Sequence, residues 1–313
     1  MLSYLIRRFL QAVLVMLIVS VVVFVILHAL PGGLVRAQLG PRASTYSVDQ
    51  LERTEGLLKP LPVQFGIWLL HLLEGNFGFS YKLNQPVAGL LAHYLPRTLL
   101  LVGISSVLTV AIGVPMGLWQ GYRRNKPDDH ALSASMLILY AMPDFLLGVI
   151  LIILLSLDLP VLPSTATSFG ASLPTDISVL VLPIAALTLG NVSYYSRYMR
   201  SSVIDNMLED YVRTARAKGN SRRRVLVKHV LRNSLSSTIT NLGLTLPYVF
   251  SGALIIEELF NFPGIGLLFW NASQSRDYPV LLGVVLVVTA SVVVGSLLAD
   301  IGYAIIDPRV RYA

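Results

Sequence analysis

Cysteine is absent from the 313 residues, and charged residues are scarce. Without thiols the chain holds no disulfide, no thiolate metal site and no cysteine nucleophile. Only 13% of the residues are charged and 54% are hydrophobic, whereas soluble domains carry roughly 25% charged residues. The composition therefore excludes an ordinary soluble domain and indicates a membrane protein.

Motifs for nucleotide binding, metal binding and catalysis are also missing. A P-loop needs a Gly-Lys pair to hold phosphates, and no Gly-Lys dipeptide occurs. The His residues stand at positions 28, 71, 93, 130 and 229 and form no metal-binding spacing. Paired acids or a Ser/His pair at membrane depth would indicate an intramembrane enzyme, and neither is evident. We therefore predict no catalytic residue, no metal site and no cofactor in this chain.

Long apolar runs are the dominant feature that is present. Crossing a bilayer takes about 20 helical residues, and six runs are long enough. They are Phe9 to Leu30, Thr98 to Gln120, Leu132 to Leu157, Ile177 to Tyr195, Thr238 to Ile256 and Val280 to Ile306. The first run exceeds the core of a cleavable signal peptide, so we expect a retained helix. The predicted fold class is an all-α membrane protein with six transmembrane helices.

The net charge of +7 would suit a nucleic-acid-binding protein, but the positions of the cations favour a membrane explanation. Most Lys and Arg lie before Phe9, between Gln120 and Leu132, between Arg197 and Arg232, or after Ile306. Short loops rich in Lys and Arg stay in the cytoplasm. Both termini are therefore predicted to be cytoplasmic, and no nucleic-acid partner is expected.

This topology predicts three parts: an N-terminal transmembrane helix (1–30), an extracytoplasmic loop region (31–97) and a five-helix core (98–313). Within the outer region, Pro62 to Leu73 is apolar but too short to span, so we expect an interfacial or packed helix. Within the core, Gly113, Gly117 and Gly121 recur every four residues. Small residues at this spacing predict close helix packing.

The inner loop 205–232 carries the pattern of a helix, a glycine turn and a second helix. In DNMLEDYVRTARAKG one face of a predicted helix is apolar, at Leu208, Tyr211, Val212 and Ala215. Gly219 suits the end of this helix because Gly adopts the left-handed conformation at low cost, and Ser221 suits the cap of the next. Such an element either lies on anionic lipid or docks into a partner protein. The pattern alone leaves both open.

Polar residues in and after the fifth run are candidates for a transport path. Asn241, Thr245 and Tyr248 recur at helical spacing, and Glu257 and Glu258 follow at the outer end. A path lined for peptide groups explains the stripe about as well as interhelical hydrogen bonds do. The two carboxylates suit either a peptide amine or solvent.

Several segments resemble one family, in the same order along the chain. YVRTARAKGNSRRRVLVKHVLRNSL resembles the cytoplasmic loop of ABC importer permeases of the peptide and nickel group, with Gly219 at the family's Gly. Further similar segments are IRRFLQ, HALPGG, PVQFGIWL, EGNFGFSY, QPVAGLLAHYLPRTLLL, AMPDFLLG, EELFNFPGIGLL, RDYPV and DPRVR. The chain departs from the pattern at Gly33, where the family has Asp. It also departs at Arg213 and Arg232, where the wider superfamily has Glu and Pro.

The resemblance implies a type I ABC importer permease fold in the bacterial plasma membrane. It implies the membrane subunit of an ATP-driven, binding-protein-dependent importer of di- or oligopeptides, with nickel or oligosaccharide as alternatives. The implied partners are a second similar permease, an extracytoplasmic solute-binding protein, a peptide substrate, membrane lipid and two cytoplasmic ATPases that bind ATP and Mg²⁺. A secondary transporter or channel without ATPases is the alternative from another class.

By the same resemblance, region 205–232 couples the permease to the ATPases. The residues that match the family's motif are Tyr211, Arg213, Thr214, Ala215, Arg216, Ala217, Lys218 and Gly219. They are expected to form a docking surface and no catalytic centre.

Overall fold

A computed structural model describes residues 2–29, 35, 44–54, 56–170, 172–235 and 253–306, which are mostly helical. The helices are α1 (Leu2–His28), α2 (Thr45–Thr54), α3 (Leu61–Leu73), α4 (Val87–Tyr122), α5 (Pro127–Ala141), α6 (Asp144–Ile152), α7 (Leu173–Leu208), α8 (Asp210–Ala217), α9 (Arg222–Arg224), α10 (Ile265–Ser275) and α11 (Tyr278–Ile306). Residues 231–235 and 253–259 are helical too. Two π-helical segments, Ile153–Asp158 and Val225–Val230, continue α6 and α9. A short antiparallel hairpin pairs β1 (Phe79–Ser80) with β2 (Gln85–Pro86).

Four of the described helices are long and apolar enough to cross a membrane. They are the Ile6–Ile26 part of α1, α4, α7 and the Tyr278–Leu297 part of α11. The bent pair Pro127–Ala141 and Asp144–Asp158 would make a fifth span. The predicted run Thr238 to Ile256 lies mostly outside the described residues. A mostly helical membrane protein is therefore confirmed, while the count of six and the orientation stay predictions.

The predicted continuous helix from Leu132 to Leu157 is wrong. The chain bends by 101° between α5 and the segment Asp144–Asp158. Met142 is extended, with φ −87° and ψ 130°, because the ring of Pro143 disfavours the α conformation in the residue before it. The bend therefore follows from one proline inside an otherwise apolar run.

The apolar segment around Pro62 to Leu73 forms the helix α3, which packs on α1. The ring of Phe24 in α1 lies 5.3 Å from that of Phe65 and 5.8 Å from that of Trp68 in α3. Nε2 of His28 is 2.8 Å from Oε1 of Gln64. These contacts confirm the prediction of a short packed helix in this part of the chain.

The chain divides into two compact units, one built from Leu2–Thr98 and Pro263–Val294 and the other mainly from Leu99–Phe262. The core of the first unit joins α4, α10 and α11 through Val87, Leu90, Leu91, Ile265, Leu268, Ala272, Val280 and Val284. Ser80 in the hairpin donates a hydrogen bond to Asp277, between α10 and α11. The hairpin is thereby attached to the core of its own unit.

The second unit contains two apolar cores, and one of them lies beneath the inner loop. The larger core includes Leu101, Leu182, Leu187, Ile256, Phe260 and Phe262. The other consists of Val114, Met199, Val203, Val212, Ala215, Val225 and Val230. Because this smaller core draws on α4, α7, α8 and the π-helical segment, it connects the predicted coupling region to two membrane spans.

Candidate functional site

The predicted coupling region contains a sharp break between α7 and α8. Glu209 is extended, with φ −68° and ψ 148°, and separates Leu208 from Asp210. The predicted continuous amphipathic helix through this point is therefore wrong. Leu208 is 64% exposed and does not share the apolar face of α8, because the extended residue removes the helical phase between them.

The buried face of α8 packs against the rest of the chain. Val212 is fully buried and Ala215 is 5% exposed, both in the smaller core. Tyr211 is half-buried, and its hydroxyl donates a hydrogen bond of 2.6 Å to Oδ1 of Asn206 near the end of α7. Two apolar side chains and a phenol hydroxyl thus attach this short helix to α7 and to the smaller core.

The opposite face of α8 is exposed to solvent and is basic. Its exposed residues are Arg213, Thr214, Arg216, Ala217 and Lys218. Nη1 of Arg213 lies 3.4 Å from Oδ1 of Asp210, and both side chains are mostly exposed. Exposed ion pairs contribute little to stability, so this one is easily exchanged for a partner's group. The face offers donors and cations without an apolar patch.

Gly219 ends this element as the sequence predicts. Its φ is +75°, the left-handed region that Gly occupies at low cost. The N–H of Gly219 donates to the carbonyl of Arg216 at 2.9 Å, and the N–H of Asn220 donates to that of Ala215 at 3.3 Å. This pair of bonds is the Schellman motif, which satisfies the last carbonyls of a helix.

Ser221 caps the second helix, which confirms that prediction as well. Its Oγ accepts a 3.4 Å hydrogen bond from the N–H of Arg224. After three α-helical residues the backbone becomes π-helical over Val225–Val230. The two ends of this segment, Val225 and Val230, are buried in the smaller core. The wider π turn was not predicted, since ordinary helix-forming residues carry no signal for it.

The three glycines of α4 place this helix directly against α7. A Cβ on Gly117 would lie 2.6 Å from the Cβ of Met199, and a Cβ on Gly121 would lie 2.6 Å from Cγ1 of Val203. Such distances leave no room for a side chain. The predicted small-residue contact is confirmed, and it lies beside the core that holds α8.

A buried ion pair joins the start of α5 to α7. The guanidinium of Arg200 donates to both oxygens of Asp129, at 2.7 and 2.8 Å, and the N–H of Asn125 donates to the same carboxylate at 2.9 Å. Asp129 precedes the apolar run that starts at Leu132. Hydrogen bonding by Arg200 lowers the pKa of Asp129 to about 2, so the carboxylate stays ionised at neutral pH.

Only two of the five residues predicted to line the transport path lie in the described part of the chain. Asn241, Thr245 and Tyr248 lie outside the described residues. Glu257 is fully buried, whereas Glu258 is partly exposed. The pair of carboxylates is therefore split between two environments, a difference that two adjacent Glu residues do not reveal in sequence.

The ion pair of Asp129 and Arg200 is the supporting feature that sequence reasoning missed. The two residues are 71 positions apart. The acidic residues after Pro127 fit an ordinary helix start, which gives no reason to select one of them. A buried partner for Arg200 emerges only when α5 and α7 are brought together.

Comparison with known proteins gives the family. A model described as the N-terminal part of a binding-protein-dependent transport system membrane component matches residues 1–102. A model described as a binding-protein-dependent transport system inner membrane component matches residues 113–312. Together they account for nearly the whole chain.

Named relatives and a solved structure agree with these models. The oligopeptide transport system permease protein AppB of Bacillus subtilis (strain 168) is 37% identical over 319 residues, covering 100% of both chains. The glutathione transport system permease protein GsiC of Salmonella choleraesuis (strain SC-B67) is 34% identical over 312 residues, again covering 100% of both. The inward-facing MetNI methionine ABC transporter superposes with a TM-score of 0.54 at 18% identity, covering 70% of this chain and 96% of that one, and so shares the fold. The chain is a multi-pass bacterial inner-membrane protein, and it belongs to the family of binding-protein-dependent transport system inner membrane components.

Proposed function

We propose that the chain is the permease subunit of an ATP-driven importer of di- or oligopeptides. The names of the two relatives, for oligopeptide and glutathione transport, favour peptides over nickel or oligosaccharide. In this proposal the subunit has six spans with both termini in the cytoplasm. The distribution of Lys and Arg supports that orientation, and it places α8 on the cytoplasmic side.

The proposed complex contains a second, similar permease, an extracytoplasmic solute-binding protein and two cytoplasmic ATPases. ATP and Mg²⁺ bind to the ATPases, because a chain without a Gly-Lys pair lacks the means to hold nucleotide phosphates. In this scheme the ATPases dock on α8 and the following turn at Gly219. Their closure then shifts the spans between inward and outward openings.

The burial pattern of α8 is the observation that carries the docking proposal. A helix lying on lipid needs an exposed apolar face. The apolar residues of α8, Val212 and Ala215, are already buried inside the chain, so no such face remains. What is left exposed is short, basic and bounded by Glu209 and Gly219. Those properties suit insertion into a groove of a partner protein.

The first test is a pull-down of the tagged chain from detergent-solubilised native membranes. We expect a second permease and two ATPases to copurify, with ATPase activity stimulated by a binding protein and peptide. Recovery of the chain alone, or as a homo-oligomer without ATPase, would favour a channel or secondary transporter and refute the importer proposal.

A matched pair of variants tests the docking surface itself. Ala217→Trp adds bulk to the exposed face of α8, and Ser201→Trp adds the same bulk to an exposed position near the end of α7. Because both sites are exposed, each change should alter stability by less than about 0.5 kcal/mol. Only Ala217→Trp should lose the ATPase in the pull-down. Equal ATPase recovery by the two variants would place docking elsewhere. Ala215 is unsuitable for this test because it is buried.

The transport path stays a proposal, with Asn241, Thr245, Tyr248, Glu257 and Glu258 as its candidates. Glu258 is the more accessible of the two carboxylates, so it is the better candidate to attract a peptide amine. Glu258→Gln should then raise the KM for peptide uptake with little change in subunit recovery. An unchanged KM would remove this residue from the path.

A further inference from the structure

A cavity of about 620 Å³ lies beside α8 and is lined by cations from three separate segments. Arg123 and Lys126 belong to the connection between α4 and α5, Arg216 to α8 and Arg222 to α9. Residues almost one hundred positions apart in sequence thus place four positive charges around one space. The arrangement is concave, and it shares Arg216 with the exposed face of α8.

The positive charge of the cavity is mostly uncompensated. Nε of Arg123 donates to Asp128 at 2.7 Å, and across the described ranges this is the only ion pair made by any of the four cations. Arg216 instead places Nη2 3.9 Å from the sulfur of Met207. Like charges held close together repel one another. A bound anion would remove that repulsion.

The remaining wall of the cavity is apolar, and it lies just past the apolar run of α4, which ends at Gln120. Met207, Val225 and Leu226 line it together with Tyr122. Tyr122 is the last residue of α4, and Met207 lies in the last turn of α7, both helices that qualify as membrane spans. The cavity therefore lies beside the end of the apolar run of α4, with cations and apolar side chains facing the same space.

We propose that this cavity binds an anionic phospholipid, with its headgroup phosphate among the four cations and its glycerol and upper acyl carbons against Met207 and Leu226. Arg guanidinium groups match phosphate oxygens in bidentate geometry. Anionic lipids concentrate near basic residues at the membrane surface. A soluble anion would satisfy the cations but leave the apolar wall in water, whereas an amphiphile covers both. The site needs only the membrane assignment, but it shares Arg216 with the proposed docking face, so lipid and ATPase compete if their contacts there overlap.

The test compares lipid retention by purified complexes in which equal charge has been removed at different places. Lys126→Gln/Arg222→Gln removes two cations that line the cavity. Arg124→Gln/Arg224→Gln removes their exposed neighbours in the same two segments, which do not line it. Each protein is exchanged into detergent with equal phosphatidylglycerol and phosphatidylethanolamine, and retained lipid is counted by native mass spectrometry.

The wild type and the Arg124/Arg224 variant should retain phosphatidylglycerol in preference to phosphatidylethanolamine. The Lys126/Arg222 variant should bind phosphatidylglycerol about 30-fold more weakly, given the usual contribution of each cation near an anionic lipid surface. Equal retention by both variants would overturn the proposal. So would full displacement of the lipid by millimolar inorganic phosphate, which would identify a soluble anion as the ligand.

A third outcome concerns the partner. If the isolated chain retains phosphatidylglycerol but the complex with its ATPases does not, an acidic group of the ATPase occupies the cavity, and the lipid proposal fails for the working transporter. Retention is measured without ATP or peptide, so a negative result for transport leaves the lipid result intact. The two proposals can therefore fail separately.

Discussion

The contact between α4 and α7 leads to a graded prediction about three glycines. In Gly117→Ala the new methyl group would lie 2.6 Å from the Cβ of Met199 and 3.0 Å from the backbone N of Arg200, and closer still to the carbonyl of Ser196. Two of these three atoms are backbone atoms of α7, and the third is fixed to its backbone. Rotation of a side chain therefore cannot relieve the clash, and the two helices must separate.

The expected magnitude follows from two opposing effects. Overpacking of a tight contact costs about 1–3 kcal/mol, and the upper end applies here because backbone is involved. Alanine in place of Gly in a helix contributes about 1 kcal/mol in the favourable direction. Gly117→Ala should therefore lower the free energy of unfolding by about 2 kcal/mol. Gly103→Ala, in the same helix with no atom within 4 Å, should be neutral or stabilising.

The other two glycines should fall between these limits. At Gly121 the nearest atoms are Cγ1 and Cβ of Val203 at 2.6 and 2.7 Å, and the nearest backbone atom, the carbonyl O of Arg200, is 3.1 Å away, farther than the backbone atoms that Gly117 meets. At Gly113 the nearest is the Cβ of Tyr195 at 3.2 Å, which requires only a small shift. The order of destabilisation should be Gly117, then Gly121, then Gly113.

The assay is SDS-induced unfolding of the purified, detergent-solubilised chain, followed by circular dichroism. Gly103→Ala serves as the control for helix propensity. Equal stability of Gly117→Ala and Gly103→Ala would refute the close contact between α4 and α7. A reversed order among the three glycines would contradict the distances on which the graded prediction rests.

Two further predictions concern the supports of the coupling region. Asp129→Asn should cost about 2 kcal/mol, below the figure for breaking a fully buried pair because Arg200 is partly exposed. The pKa of Asp129 in the folded protein, about 2, lies below its usual 3.8. The difference in free energy of unfolding between wild type and variant should therefore persist above about pH 4 and vanish as the pH falls toward 2. A difference that does not depend on pH would contradict the ion pair. Gly219→Ala should lower the free energy of unfolding by about 1 kcal/mol, measured by thermal unfolding, because Gly219 has a positive φ. The control, Gly66→Ala in α3, has open space around it and should not destabilise the protein. Equal effects of the two changes would argue against the left-handed turn at Gly219.

Features set by local chemistry were predictable from sequence. Apolar runs gave the spans, and Gly219 and Ser221 marked a helix end and a helix start because their conformational and hydrogen-bonding preferences act over a few residues. The glycine spacing of α4 likewise predicted close packing. Each of these features depends on neighbours along the chain and needs no knowledge of distant contacts.

Features set by tertiary contacts were not predictable in the same way. Glu209 is a good helix former, yet it is extended, because burial of Val212 and the bond from Tyr211 to Asn206 fix α8 at a new angle. The partnership of Asp129 with Arg200 also depends on packing between distant helices. The bend at Pro143 is a different case, since its signal was present in the sequence but the length of the apolar run outweighed it.

The close approach of α4 and α7 has a mechanical consequence. From Gly113 to Gly121, α4 lies so close to α7 that backbone and Cβ atoms make most of the contacts, so this stretch of the helix pair has little room to slide or rotate. With its 36 residues, α7 is about 54 Å long. A tilt of only about 5° at the end that carries α8 moves the opposite end by about 5 Å, given that helical rise. If the proposed docking at α8 tilts α7 in this way, a rotation of a few degrees becomes a displacement comparable with the pitch of a helix at the far end of the span.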